Sequence, residues 1–539
     1  MAVFLRSPAA LYLLAAIFAA ASLLVLDVRT LIPPDEGRYA EMAREMFISG
    51  DWVTTRLNGI KYFEKPPLHA WMSAAAFSLF GLGEWQARLW NGLCGIGGVL
   101  MVAHTGRRVF GQRAGLYAAL VLGSMLFWAA GSQFNSLDLP VAAIMSLALC
   151  ALLIAQRDDA TPAQRRIWML VCWAAMALSV LAKGLIGVVL PAGVLAIYIV
   201  ASGDRAILRR LHPISGFTLF MAIALPWFVL VAARNPEQPH FFFIHEHWNR
   251  FFLKTHHREG PWYYFLVLML PASLPWLPLL PKALTTARKR VAGQFQAAQL
   301  LLVWTVFILA FFSYSSSKLP GYMLPVFPAM ALLAGAYLER APRSLAVLAS
   351  VLLAVIGVVG LACLPFIPGL DTMLLWIAFV AALLAGLLAW LAESRGLRTG
   401  MVAALAVGGW LLTQLAMASH EPFGRNKAGL QAALAIRAEL RAETPVYSVG
   451  TYEQSMTFYM GHTVIPVAYE DELSFGLVQE PWRGIASLDE FHARWRAAAA
   501  RGEPQYAIMR SDLYFAARRL GLPMRERASA ANIVVVSAP

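Results

Sequence analysis

Charge is scarce in this chain. Of its 539 residues only 14% are Asp, Glu, Lys or Arg, whereas 59% are hydrophobic. A water-soluble domain runs at about 25% charged and about 45–50% apolar, so the balance identifies an integral membrane protein. Cysteine is scarcer still: Cys94, Cys150, Cys172 and Cys363 complete the set, each inside an apolar run. No Cys-x-x-Cys spacing occurs, so neither a disulfide framework nor a thiolate metal site is supported, and the four read as packing residues. Internal repeats and low-complexity tracts are missing too. What charge there is has one sign in excess, with a formal net charge of +13. Its Lys and Arg sit in short segments between apolar runs, as cytoplasmic loops do. The basic balance therefore does not point to nucleic acid.

About 18 apolar residues suffice to cross a bilayer. Runs of that order lie near 9–26, 87–106, 114–132, 138–156, 167–182, 185–202, 213–233, 262–281, 298–316, 322–339, 344–364, 372–392 and 400–418. The first resembles a signal peptide in outline, but its length suits an uncleaved span. A further run, "PPLHAWMSAAAFSLFGLG" at 66–83, is decided by loop charge. If it stays out of the membrane, "GRRVFGQR", "QRDDATPAQRR", "GDRAILRR", "PKALTTARKR", "ERAPR" and "ESRGLR" all share the side of Arg6. If it crosses, all of them flip away. The positive-inside rule makes 66–83 an interfacial or partly re-entrant helix. Thirteen spans follow, with the N-terminus in the cytoplasm and the C-terminus outside.

From about 420 the composition changes. "NKAGLQAALAIRAELRAE" has helical spacing, while "PVYSVG", "TVIPVAY", "QYAIMR" and "NIVVVSA" are short β-rich runs. The expected architecture is an α-helical polytopic membrane protein with about 13 transmembrane helices over 1–419. It includes a first outer loop at 27–86 bearing interfacial helices and a long outer loop at 234–261. A small outer α/β domain at 420–539 completes it.

The same parity gathers polar residues on the outer face. The first loop holds Asp35, Glu36, Arg38, Tyr39, Lys61, Tyr62, Glu64 and Lys65. Later outer segments add Asp138 in "FNSLDLP", Lys183 in "LAKGLIG", His245 and Arg250 in "HEHWNRF", and Lys318 in "SKLPGY". Asp35 and Asp138 each stand at a span boundary, where an acid caps a helix or meets its dipole. Two such acids beside hydrocarbon point instead to a site, because ionisable groups there are costly. Lys65, Lys183, Arg250 and Lys318 are each explicable as snorkelling residues; together they make a cationic nest for a lipid-linked phosphate. His245 with Glu64 supplies the imidazole and carboxylate donors that suit a divalent metal ion.

The stretch "PPDEGRYAEMAREMFISGDWVTTRLNGIKYFEKPPLHAW" closely resembles the first periplasmic loop of the 4-amino-4-deoxy-L-arabinose lipid A transferases. These are integral-membrane glycosyltransferases of the GT-C type, which use polyprenyl-phosphate sugars and are related to the protein O-mannosyltransferases. "FNSLDLP", "LAKGLIG", "HEHWNRF" and "KLPGYMLP" look like later motifs of that family. The resemblance covers about 1–340. It implies an undecaprenyl-phosphate-linked aminoarabinose donor and a lipid A phosphate acceptor. Transfer would take place at the periplasmic face of the bacterial inner membrane, with polymyxin resistance as the outcome. It implies Asp35 and Asp138 as catalytic residues. Arg38, Tyr39, Tyr62, Lys65, Lys183 and Arg250 then serve as substrate-binding groups. The runner-up is a related transferase moving another sugar to lipid or protein. The rival class, a lipid-linked-sugar flippase, predicts inverted repeats and midplane charges, whereas these acids gather at one face.

Overall fold

The computed structural model describes residues 8–249, 260–288, 294–469 and 471–539. The chain divides into two compact units. Met1–Leu26 with Arg88–Ser419 forms a membrane unit, and Asp27–Ala87 with His420–Pro539 forms a sheet unit. Residues 27–87, which hold the first outer loop, thus cluster with the C-terminal segment.

Among the described residues eight helices are long and apolar enough to cross a membrane, or nine if one bent pair counts as a single span. This is a multi-pass membrane protein. Several expected runs fall outside that set for local reasons. The run 114–132 breaks at Met125, whose backbone is extended, and the next amide, Leu126 N, donates to Leu274 O at 3.2 Å. The run 262–281 bends by 119° between Tyr264–Ala272 and Leu277–Thr286, a stretch in which Pro271 and Pro275 withdraw backbone donors. Run 87–106 lies within Glu84–Phe110, which is 27 residues long but diluted by glycine.

Two helices show how sequence sets position. Pro162–Lys183 opens with a capping box, in which the Thr161 hydroxyl accepts from Gln164 N while the Gln164 side chain returns to Thr161. It ends at Gly184, so Lys183 is its last residue. Helix Arg343–Cys363 exposes Leu348, Val351, Val355 and Val358 along one stripe, the apolar face that lipid demands. On another face a Cβ at Gly357 would lie 2.6 Å from Leu383 N and Phe379 O, the small-residue contact that lets membrane helices approach. By contrast Asp138–Ala155 is buried on almost every side.

In the sheet unit, helix α1 (Asp35–Ser49) ends at Gly50, whose φ of 69° suits glycine. Strands β1 (Arg56–Leu57) and β2 (Ile60–Lys61) pair through an Asn58-Gly59 turn with φ of 57° and 69°, the preferred two-residue hairpin. Helix α2 (Leu68–Phe80) has 13 residues; at 1.5 Å rise per residue it is about 20 Å long, short of the ~30 Å hydrocarbon core. All four β-rich runs form strands: β3 (Val446–Val449), β4 (Ile465–Val467), β5 (Tyr506–Arg510) and β7 (Ile533–Ser537). A fifth, β6 (Arg525–Ala530), gives the order β4-β3-β5-β7-β6. Strand β3 runs parallel to β4 and β5, while β7 is antiparallel to β5 and β6. Tyr447, Phe491, Trp495, Met509 and Val536 pack in the core beside it. The expected long helix after 425 is shorter: Gly429, at φ 64°, separates Glu421–Lys427 from α3 (Leu430–Arg437).

Candidate active site

Two groups of charged side chains emerge, one in each unit. In the sheet unit Asp35 is the first residue of α1. The helix cap is Pro34, with no side-chain cap hydrogen bond, so Asp35 is not spent on capping. One turn later, Arg38 Nη1 donates to Asp35 Oδ1 at 3.1 Å. Arg38 Nε lies 2.6 Å from Glu472 Oε2, and its guanidinium carbon stands 6.0 Å from the centroid of the Tyr39 ring. The side chains of Arg38 and Glu472 are 12% and 8% exposed, against 41% for Asp35. The carboxylate that opens to solvent is therefore the one at the helix start.

Burial pulls the Arg38 guanidinium down, but Tyr62, Glu472, Tyr39 and Asp35 together leave it well above its usual value. Burial raises the Glu472 carboxyl, with Arg38 pulling the other way. The buried phenol of Tyr62 is raised by burial and then by Glu64, against Arg38, so it stays a neutral hydrogen-bond donor. Hydrogen bonds fix its backbone, from Tyr62 N to Thr55 O at 3.0 Å and from Thr55 Oγ1 to Tyr62 O at 2.5 Å. Tyr39 packs edge-on to His69 with centroids 5.3 Å apart. Lys65 Nζ donates to Glu64 O at 2.9 Å and lies 3.9 Å from Glu64 Oε2.

In the membrane unit Asp138 begins its helix, again without a side-chain cap. It pairs with Lys183 at the end of Pro162–Lys183. Lys183 Nζ also stands 4.7 Å from the centroid of Tyr322, a cation–π distance. A Cβ at Gly321 would fall 1.9 Å from Asp138 Oδ2, so the glycine of "KLPGYMLP" admits the carboxylate. Lys318 leaves the expected cationic nest. Its Nζ donates to Ser313 O at 2.9 Å and Ser315 O at 2.8 Å, closing the end of helix Ala297–Tyr314.

His245 is half-exposed, with Nδ1 3.4 Å from Glu246 Oε1 and its ring stacked on Phe241 at 5.0 Å. Glu64 belongs to the sheet unit. Among the described residues no group of three His, Cys, Asp or Glu side chains is placed to hold a metal ion. The donors present make local pairs, His245 with Glu246 and Lys65 with Glu64. Arg250 lies outside the described residues.

Sequence reasoning missed Glu472 and Gln454, which sit in the C-terminal segment. The Gln454 side chain donates to Glu472. Its signal was the acidic run "YEDE" at 469–472, which reads as solvated surface. Chemically, the sheet-unit group joins a guanidinium and neutral phenols, which bind phosphate oxygens, to an accessible carboxylate. The membrane-unit group holds a carboxylate against an ammonium.

Comparison with known proteins gives these arrangements a setting. Residues 432–538 match the aminoarabinose transferase C-terminal domain model. Residues 64–230 match the dolichyl-phosphate-mannose-protein mannosyltransferase model. An undecaprenyl phosphate-alpha-4-amino-4-deoxy-L-arabinose arabinosyl transferase from Edwardsiella ictaluri is 32% identical over 61% of this chain and 59% of its own length. The chain thus matches about three-fifths of that relative. The crystal structure of ArnT from Cupriavidus metallidurans bound to undecaprenyl phosphate superposes with a TM-score of 0.92 at 39% identity, over 98% of each chain. The archaeal oligosaccharyltransferase AglB from Archaeoglobus fulgidus shares the fold alone, with a TM-score of 0.54 at 14% identity over 94% of this chain and 70% of its own. With two fifths of residues identical across nearly the whole of both chains, this chain belongs to the ArnT family of aminoarabinose transferases.

Proposed function

We propose that the protein transfers 4-amino-4-deoxy-L-arabinose from undecaprenyl phosphate to a phosphate of lipid A. The observation that carries this reading is the likeness to ArnT over 98% of each chain. The reaction takes place at the periplasmic face of the bacterial inner membrane, on a chain of thirteen spans with the C-terminal segment periplasmic. In the transfer the bond from the anomeric carbon to the polyprenyl phosphate breaks, its electron pair staying on the leaving phosphate. An oxygen of the acceptor phosphate forms the new bond to that carbon.

The anomeric carbon carries oxocarbenium character in between, which a nearby carboxylate stabilises. Asp35, the exposed member of its group, suits that part and the positioning of the acceptor. A phosphate acceptor is already anionic, so no strong general base is required. Lys65 and Arg250, with Arg38 and Lys183, neutralise the phosphate groups, and the Tyr39 and Tyr62 hydroxyls donate to phosphate oxygens. Asp138, paired with Lys183, is the second proposed catalytic carboxylate. Glu64 and His245 each offer a donor suited to a divalent ion, which metal analysis of the purified protein tests. Adding a cationic sugar lowers the negative charge of lipid A. Attraction for cationic peptides weakens accordingly, and resistance to polymyxin-type compounds results.

The test is expression in a Gram-negative strain that makes the lipid-linked sugar but lacks its own transferase, with lipid A read by mass spectrometry. Wild type yields the aminoarabinose adduct, and Asp35→Asn at matched membrane level reduces it on the order of 10²–10³-fold, as loss of a charge-stabilising group does. An adduct that survives Asp35→Asn overturns the site assignment. A well-expressed wild type that gives no adduct, in cells and as the detergent-purified protein, overturns the substrate assignment and favours transport.

A further inference from the structure

Helix α4 (Gln454–Met460) lies against α1 within the sheet unit, and the approach is extreme at Gly37. A Cβ there would fall 2.4 Å from Ser455 Oγ, 2.5 Å from Ser455 N and 2.6 Å from Ser455 Cα. The stretch before α1 is tied to the same C-terminal segment. Ser455 Oγ donates to Leu31 O at 2.8 Å, and Leu31 N donates to Tyr459 Oη at 2.7 Å. Thr30 donates from N and Oγ1 to the Glu421 carboxylate at 2.6 and 2.8 Å. Backbone contacts therefore fix where the acidic pair begins. They leave the direction of the side chains to a second set of bonds.

That second set is a linear chain of polar contacts. Gln454, the first residue of α4, donates to Glu472. Glu472 Oε2 meets Arg38 Nε at 2.6 Å, and Arg38 Nη1 donates to Asp35 Oδ1 at 3.1 Å. Arginine suits the middle place because its planar fork addresses two carboxylates at once. The far members are buried and the Asp35 end is open, so the chain fixes its inner end and presents its outer one.

We infer that Glu472, held by Gln454, is a positioning residue for the transfer: it fixes the fork of Arg38 and through it the carboxylate of Asp35. The C-terminal segment on this account is part of the reacting centre's scaffold rather than a cover or a docking arm. The role rests on the transferase reading above. It predicts that Glu472 acts only through Arg38.

The test uses the full-length protein in detergent, with undecaprenyl-phosphate aminoarabinose and lipid A. Glu472→Gln lowers kcat by about 10²-fold, the cost of a misplaced reacting group. KM for the donor rises by less than kcat falls, because Arg38 keeps its charge for the phosphate while Asp35 loses its direction. Glu472→Asp recovers part of kcat. In an Arg38→Gln background Glu472→Gln adds nothing further, since two changes along one path are not additive. A retained kcat, or losses that multiply in the double variant, overturns the proposal. Hydrogen exchange decides independently of the sugar transferred. The Arg38 Nε–H, read by NMR of protein labelled with 15N-arginine, exchanges at least ~10-fold faster in Glu472→Gln, while amides 30–40 and those of β3 and β5 keep their protection through bonds that do not involve Glu472. Unchanged exchange at Arg38 Nε, or loss of amide protection at 30–40 or throughout the sheet, overturns it as well. A wild type without activity but with the expected exchange pattern overturns only the substrate reading.

Discussion

Asp35 and Asp138 both open helices, yet they are held in opposite ways. Asp138 faces an ammonium supplied by a separate helix, and both side chains are largely covered, at 20% and 14% exposed. The ammonium is a compact point charge, and Gly321 leaves room beside it for the carboxylate and nothing more. Asp35 is more open, at 41%, and shares its cation with Glu472. The membrane unit thus presents a closed pair whose geometry is set by packing. The sheet unit presents an acid whose direction depends on a string of side chains. The first is rigid because it is crowded, and the second because it is tethered.

The glycines beside each acid offer a way to break that comparison. Gly321→Ala drives a Cβ into the Asp138 carboxylate and to 2.7 Å from Asp138 Cβ. The carboxylate must leave Lys183, and the start of its helix must shift slightly as well. Steady-state kinetics should show a loss of about 10²-fold, larger than the accompanying fall in melting temperature explains. Gly37→Ala meets Ser455 N and Cα, which are backbone and cannot swing away. Denaturant unfolding should show a loss of about 1–3 kcal/mol, as overpacking does, and Ser455→Ala should not rescue it. If both glycines instead behaved alike, the contrast between crowded and tethered acids would collapse.

A third carboxylate sharpens the comparison with the smallest effect. Glu45 accepts the Gly59 amide at 2.8 Å, near Glu41, which itself grips Arg44 through two bonds of 2.6 Å. Desolvation and the Glu41 charge push Glu45 from its ordinary 4.5 to about 8. The folded sheet unit therefore favours the protonated acid. That contribution to stability is full below about pH 4.5 and is lost as pH rises through about 8. Thermal unfolding of the full chain followed from pH 5 to 8 should show this decline, and Glu45→Gln should flatten it.

Much of the site was legible because membrane chemistry makes charge conspicuous. Asp35, Asp138 and Lys183 stand out as ions at the ends of apolar runs. The pairing of Asp138 with Lys183 was not legible, since it depends on how two helices meet. Glu472 was hidden for the opposite reason: in the polar C-terminal segment a carboxylate attracts no notice. The glycines at 37 and 321 were visible inside their motifs, but the atoms that require them lie far away in the chain. Locally coded features fared differently. The Asn58-Gly59 turn carries its own signal, whereas β6, "RERASA", reads as surface because an edge strand is protected by charge. The break at Met125 has no local mark and comes from a tertiary hydrogen bond to Leu274.

The sheet unit is assembled from the two ends of the chain, and this governs when it can form during synthesis. Asn58 exchanges hydrogen bonds with the Val464 backbone, 406 residues later. At translation rates of about 5–20 residues per second, those partners emerge roughly 20–80 s apart. Throughout that interval α1 and the hairpin after it lack the surface that orders them. Maturation of the acid-bearing loop is thus tied to completion of the polypeptide, and a ribosome that stops before residue 420 releases a protein whose first loop has nothing to fold against.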